Sequence, residues 1–272
     1  ERDRILERRW RQVFYLVDDL LPFAAASLDL PPDYRKRLAH FCETALPHIL
    51  ALEPVVLAPS QAILDAFQPL RGERVSPCAL ALATCFDEDF WRRSPFKLAF
   101  FGTRSHAASL DFLSAVAEGL LKAVPAARLT LFFGRHAPRA VRRLPNIDNR
   151  SPLAWPAFRA LLSRERFHLG LAPIPDTPFA RARSFTKLLD HAACGAAGLY
   201  SDAPLFADAL SGQRGGVLLP WRAGAWAETI AALDADRGRA LALAKAGVAL
   251  AARVGDRARL REFWAGRLDL CV

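Results

Sequence analysis

The chain has 272 residues, 52% of them hydrophobic and 24% charged, which is enough to bury one large core or two modest ones and excludes a chain that is disordered by composition. Lys and Arg number 37 against 28 Asp and Glu, and the formal net charge of +9 favours anionic partners: nucleic acid, acidic lipid headgroups or a phosphorylated small molecule. No apolar run reaches the roughly 18 residues of a membrane span, and the charged start ERDRILERRWRQ has no signal-peptide core.

In chain order, the first element is the apolar, β-forming run VFYLV at 13–17, which stops at Asp18 and Asp19 and reads as a buried strand with two carboxylates at its carboxyl end. Leu38, Phe41, Ala45 and Ile49 give 33–50 a helical period. PVVLA at 54–58 is a second short strand, and Ser60 is placed to cap a helix over 61–67. Pro69, Gly72, Pro77 and Pro95 break up 68–95, which reads as a crossing between domains. Regular alternation then begins. Strands are expected at 97–101, 128–133, 167–172, 198–201 and 216–219. Helices are expected at about 107–123, 156–163, 185–194, 223–234, 238–253 and 257–268, with Gly195 stopping the fourth strand's preceding helix. Such alternation means βαβ units and a parallel sheet. The expected organisation is a partial amino-terminal α/β lobe over 1–66, an interdomain segment over 67–95, a Rossmann-like domain over 96–250 and a terminal helix over 251–272. In parallel sheets ligands bind outside the carboxyl ends of the strands, so the loops 102–106, 134–136, 173–184 and 201–204 are the ones to inspect.

The segment APIPDTPFARARSFTKLLDHAACG, residues 172–195, runs from a strand end through a Pro-rich loop into a helix. Ser184 stands where an N-cap belongs. The first-turn amides of Phe185, Thr186 and Lys187 would be free to face an anion, with the helix dipole adding favourable potential. Arg183 and Lys187 add two cations, and the Asp190 carboxylate can accept hydrogen bonds from a ribose diol. Together they have the chemistry of a nucleoside-diphosphate site; the alternative is a surface helix with a serine cap and solvated charges.

This segment resembles the nucleotide-sugar motif of retaining GT-B glycosyltransferases of the large "glycosyl transferases group one" class. One branch reads roughly P-F-N-x-x-K-S-x-x-K-x-L-E-Y-A-A-x-G, matched here by Pro178, Phe179, Arg183, Ser184, Lys187, Leu189, Asp190, Ala192, Ala193 and Gly195. GLYSDAPLF resembles the strand and turn that follow it. LAFFGTRSHAASLDFL resembles the first strand, glycine loop and helix of the nucleotide domain, and RLTLFFG its second strand. VFYLVDDL and VVLAPSQAILDAF resemble the closing segments of the acceptor-side domain. The likeness covers about 12–235, with the pieces in the right order. It implies a GT-B-type α/β fold and transfer of a sugar from a nucleoside-diphosphate sugar, with retention. It implies that Gly102, Thr103 and Arg104 approach the phosphates, that Ser184, Phe185, Thr186 and Lys187 hold the diphosphate with Arg183, and that Asp190 holds the ribose. Base contacts are expected from backbone near Pro152 and Leu153. No catalytic residue, metal site or cofactor beyond the donor is assigned. The acceptor is an unidentified glycan, lipid or protein; nucleic acid is not expected, and a peripheral contact with a membrane is left open.

The sequence also departs from that pattern. Where the class has paired glutamates eight residues apart, Asp190 stands at the second and Ala182 at the first, where a carboxylate often contacts the donor sugar; Ala180 replaces the usual Asn and Arg183 the usual Lys. A non-catalytic protein of the same build, binding a nucleotide or a partner, is the second reading. The chain begins with Glu1 and contains no Met, so a trimmed or internal start is expected, with most of the acceptor domain outside this sequence. Asp18 and Asp19 suit an acceptor or a cation, or a hydrogen-bonded loop pair. His106 suits phosphate, acceptor or plain surface. His168, His191 and Cys194 read as structural. The five cysteines, Cys42, Cys78, Cys85, Cys194 and Cys271, are odd in number and lack metal-ligand spacing, which fits a reduced, cytoplasmic setting.

Overall fold

The computed structural model describes residues 12–79 and 82–268. The chain forms two compact units, one of residues up to Ser76 together with Thr177–Ser184, the other of Pro77–Asp176 together with Phe185 onward.

The first unit holds a three-stranded parallel sheet of β1 (Phe14–Leu16), β2 (Val55–Ala58) and β3 (Gly72–Arg74), in that order, with Phe14 opposite Val55 and Val56 opposite Gly72. All four residues of β2 are buried, as a parallel strand covered on both faces requires. Val56, Ala58, Ile63, Leu64 and Phe67 build the core there with Val17, Leu20, Leu46 and Ala182. The helix expected over 33–50 is two, α2 (Pro32–Thr44) and α3 (Leu46–Leu50), preceded by α1 (Leu21–Ala26). Pro47 explains the break: it has no N–H, and its ring would strike the carbonyl four residues back. Helix α4 (Gln61–Ala66) starts after Ser60, but the Ser60 side chain makes no cap bond. The stretch 68–95, expected to be a featureless crossing, carries β3 and helix α5 (Glu88–Arg93). Asp87 caps α5 by accepting from the amides of Asp89 and Phe90, and Trp91 is buried in the core of the second unit.

The second unit is a six-stranded parallel sheet. Its strands are β4 (Lys97–Phe100), β5 (Arg128–Leu131), β6 (Ile147–Asn149), β7 (Leu169–Ala172), β8 (Ala197–Ser201) and β9 (Val217–Leu219), in the order β6-β5-β4-β7-β8-β9. The winding therefore goes outward from β4 in one direction and resumes from β7 in the other. Side chains alternate across β4: Leu98 and Phe100 enter a core with Leu113, Val116, Leu129 and Trp226, whereas Ala99 and Phe101 enter one with Phe132, Phe167 and Cys194. The helices are α6 (Leu110–Ala123), α7 (Arg139–Arg143), α8 (Trp155–Arg164), α9 (Pro178–Arg181), which belongs to the first unit, α10 (Thr186–Ala193), α11 (Pro204–Leu210), α12 (Ala223–Ala235), α13 (Arg237–Val254) and α14 (Arg257–Leu268). Gly195, at φ +71°, ends α10 where its sequence position suggested.

Two histidines are buried in this unit and structural. His168 Nδ1 accepts from the Lys97 amide at 3.0 Å, and its ring stacks on Phe90 at 4.2 Å. Burial pushes it down to about 4, with the Arg237 and Lys97 charges adding to the effect and the Phe90 carbonyl opposing it. His191 lies against Gly170, where a Cβ would come within 2.3 Å of its ring, and faces the Tyr200 hydroxyl at 3.3 Å. Burial, and then the Lys187 charge, push His191 down to about 3. Beside them Cys194 is wholly buried, its thiol pushed up to about 12 by burial.

Both rings are neutral when folded, whereas an ordinary imidazole titrates at 6.5. Below pH 6.5 the unfolded chain binds protons that the folded chain refuses, so this stability is complete above pH 6.5 and falls as pH drops toward 4 and 3. Melting temperature should decline across that window, and His191→Phe, which keeps a ring without titrating, should decline less. Equal declines in thermal melts of the two proteins would contradict the assignment.

Candidate functional site

The reversal of winding falls between β4 and β7, and at such a point the loops leaving neighbouring strands part in opposite directions and open a crevice. Here those loops are Phe101–His106 after β4 and Pro173–Asp176 after β7. The second is pinned: Ser109 Oγ donates to the Pro173 carbonyl at 3.0 Å, and Ser201 Oγ accepts from the Ile174 amide at 2.8 Å.

The loop after β4 turns at Gly102. A Cβ there would lie 2.2 Å from the Phe100 ring and 3.0 Å from the His106 Cβ, so only glycine fits. A 3-10 turn over Arg104–Ser109 follows, closed by the His106 amide donating to the Thr103 carbonyl at 2.7 Å and the Thr103 amide donating to His106 Nδ1 at 3.5 Å. The Arg104 side chain lies outside the described part of the structure.

A cavity of about 270 Å³ opens against this loop, within the second unit. Its lining combines Gly102, Thr103, His106 and Lys187 with the apolar side chains of Phe101, Phe132, Leu153, Trp155 and Phe158. The Trp155 and Phe158 rings are 5.9 Å apart, and Phe158 meets Phe101 edge-on at 5.5 Å. Loop 150–154, which leads into Trp155, is held by Gly134: its amide donates to the Arg150 carbonyl at 2.8 Å, and its carbonyl accepts from Asn149 Nδ2 at 2.8 Å.

The segment 172–195 is divided between the units. Its helix α10 begins at Thr186 with Phe185 as the cap residue, and no side chain caps it, so Ser184 is not the N-cap expected from the sequence. The reason is packing. Phe185 is 6% exposed and anchored among Ala172, Leu188 and Leu189, which sets the helix start one residue late and leaves the buried Ser184 Oγ without a hydrogen-bond partner. The amides of Thr186 and Lys187, in the first turn, have no carbonyl within the helix to bond. Lys187 Nζ pairs with Asp190 Oδ2 at 3.1 Å, both side chains about four-fifths buried. Arg183 and Ser184 fall in the first unit, where Arg183 Nε donates to Asp19 Oδ1 at 3.2 Å and its guanidinium lies over the Phe179 ring at 5.0 Å. Asp19 is thus a hydrogen-bonded loop carboxylate. Ala182 is buried in the first unit's core, and its carbonyl accepts from the Leu20 amide at 3.2 Å.

Of the expected site residues, the structure gathers Gly102, Thr103 and Lys187 on one cavity, with Asp190 on Lys187 and Thr186 at the helix start. Phe185 serves the core. The aromatic wall of Trp155 and Phe158 was not foreseen, because their spacing reads equally as the buried side of a short helix.

No protein-family model and no curated protein matches the chain. Solved structures do. HepE from Anabaena, crystallised with UDP and glucose, aligns over 96% of this chain and 72% of its own at 16% identity, with a TM-score of 0.62. Sucrose-phosphate synthase from Thermosynechococcus elongatus aligns over 97% and 69% at 15% identity and 0.65, and WaaG, a glycosyltransferase involved in lipopolysaccharide biosynthesis, over 97% and 80% at 13% and 0.65. The fold is that of GT-B glycosyltransferases. In this GT-B chain the six-stranded unit carries the cavity, and the three-stranded unit is the smaller α/β lobe.

The Gly102 contact makes a direct test. Gly102→Ala must displace Phe100 or the loop and should cost about 1–3 kcal/mol. Gly266→Ala, where a Cβ meets nothing within 4 Å, should be neutral or gain up to ~1 kcal/mol. Denaturant midpoints compare the two, and an unshifted Gly102→Ala would refute the close approach.

Proposed function

We propose that the protein is a glycosyltransferase that takes a sugar from a nucleoside-diphosphate sugar, with retention, and passes it to an acceptor of unassigned structure in a reduced, cytoplasmic setting. The observation that carries this reading is a cavity at the switch point of the sheet whose lining has both an aromatic wall and a cation, Lys187. A nucleotide has the matching parts, a flat base and a diphosphate. The base would lie against Trp155 and Phe158 beside Leu153, and the diphosphate would run toward Gly102 and Thr103. Lys187 and the amides of Thr186 and Lys187 would meet its charge.

The Lys187–Asp190 pair gives the site a resting state. An arriving diphosphate draws the ammonium toward itself, and the released Asp190 carboxylate can accept from the ribose hydroxyls. In the transfer step the bond from the anomeric carbon to the diphosphate oxygen breaks, an acceptor hydroxyl oxygen bonds to that carbon and its proton passes to the departing diphosphate, and meanwhile negative charge grows on the departing oxygen. Lys187 and the helix-start amides, already in place, stabilise that charge at no further cost of reorganisation. HepE, which shares the fold, is crystallised with UDP and with UDP-glucose, and this supports a donor of that kind. Arg104 completes the proposed donor site.

Ala182 favours a second reading. An apolar residue packed into the core stands where the class often has a sugar-contacting carboxylate, which suits a protein that binds a nucleotide without transferring from it.

Charge-assisted hydrogen bonds contribute roughly 1.5–3 kcal/mol each, so Lys187→Ala should weaken UDP binding about tenfold or more by calorimetry; unchanged affinity would refute the placement. Release of nucleoside diphosphate from a panel of nucleotide sugars then separates the readings. Turnover that Lys187→Ala suppresses supports the transferase, and tight UDP binding with no turnover on any donor and acceptor supports the binding protein.

A further inference from the structure

A second feature of the six-stranded unit lies on α7, beside the loop whose Leu153 and Trp155 also line the cavity, and does not rest on the nucleotide-sugar reading. Residues 135–143 hold Arg135, His136, Arg139, Arg142 and Arg143, and no carboxylate occurs anywhere in 132–147. All five side chains are exposed. The first two lie on the 3-10 turn Gly134–His136, the others on α7. Val141, 1% exposed, fixes how α7 is turned by entering the core with Leu131 and Phe133. Arg139, Arg142 and Arg143, three and four residues apart, therefore share the outward face.

Like charges at that spacing destabilise a helix, so folding alone does not account for them. Nor are they neutralised at home. Asp148 and Glu165, the first two carboxylates after the patch in sequence, are both held by Arg150 at 2.7 Å. Among the described residues none of the five side chains forms an ion pair with a carboxylate. Gly134, at the start of the patch, is bonded to Asn149 and Arg150, and a Cβ on it would touch Ser151 and Pro152. The same loop leads to Leu153 and Trp155, which are 37% and 56% exposed.

We propose that this face docks the protein onto an anionic phospholipid surface, with the guanidiniums on headgroup phosphates and the exposed Leu153 and Trp155 edges at the interfacial level. An outward arginine face with apolar neighbours has the composition of an interfacial surface. A soluble polyanion would use the arginines but has no use for the leucine.

The test is co-sedimentation with phosphatidylcholine vesicles, with and without a large fraction of phosphatidylglycerol. The native chain should sediment only with the anionic vesicles and be released by added salt. Each arginine is worth about fivefold in partitioning, so Arg139→Glu, Arg142→Glu and Arg143→Glu together, which remove three positive charges and add three negative ones, should weaken binding by more than about a hundredfold. The same three positions changed to Gln, which keeps helix propensity, should weaken it less but clearly, with an unshifted melting temperature showing that the fold survives. Arg257→Glu, Arg259→Glu and Arg261→Glu, which remove the same charge from α14, should leave binding within a few-fold of native. Equal losses from the two glutamate triples would reduce the effect to net charge and overturn the proposal. So would native-like binding of the α7 triple, or binding to soluble heparin or RNA with none to anionic vesicles.

Discussion

A parallel strand cannot pair with its chain neighbour through a tight turn; the chain must cross back over a face of the sheet before the next strand can join. That constraint shapes the second unit. Each crossover lays a helix on one face, so both faces are buried and the strands read as apolar runs, as Leu169–Ala172 and Ala197–Ser201 do in having every residue buried. It also forces a choice of direction. Having wound from β4 through β5 to β6, the chain can add its next strand beyond β6 or return to the free side of β4, and it returns, with β7. The crevice at that restart follows from connectivity before any side chain is considered. The glycine turn after β4 and the pinned loop after β7 then line it.

Side chains decide what such a crevice accepts. The aromatic wall depends on Phe101 and Phe132, which leave the ends of β4 and β5 on the same face, and on Phe158 packing over them. The cation in the lining is Lys187, which comes from the first turn of α10 while tethered to Asp190. The tether keeps a partly buried ammonium from going unpaired, a state that low-dielectric surroundings penalise heavily.

Period and punctuation made the βα alternation after residue 96 legible in the sequence. Lys97–Phe100, Arg128–Leu131 and Leu169–Ala172 are apolar runs bounded by Gly or Pro, and Leu110, Leu113, Val116 and Leu120 mark one face of a helix. Other elements were hidden for reasons that can be named. The strands Gly72–Arg74 and Ile147–Asn149 are three residues long, polar and at sheet edges, so they have neither length nor alternation to show. The cap at Ser184 follows a sound local rule, but the burial of Phe185 overrode it. The pairing of Arg183 with Asp19 spans 164 positions, beyond the reach of any local pattern. Gly102 and Lys187 were legible because the chemistry of phosphate binding asks for those residue types at a strand end and a helix start. Trp155 was not, since nothing in its spacing tells a cavity wall from a core.

The burial of Cys194 turns the chain into its own recorder of opening. Its thiol is wholly enclosed and held far from ionisation, and thiol reagents attack only the thiolate. Cys85 is exposed and Cys42 and Cys78 are partly so, and these would be labelled on contact. Cys194, at the end of α10 and beneath β8, can be reached only when the packing around that helix comes apart. Its labelling rate under native conditions would count those openings, and a molecule that filled the cavity beside Lys187 would slow the count by the free energy of its own binding.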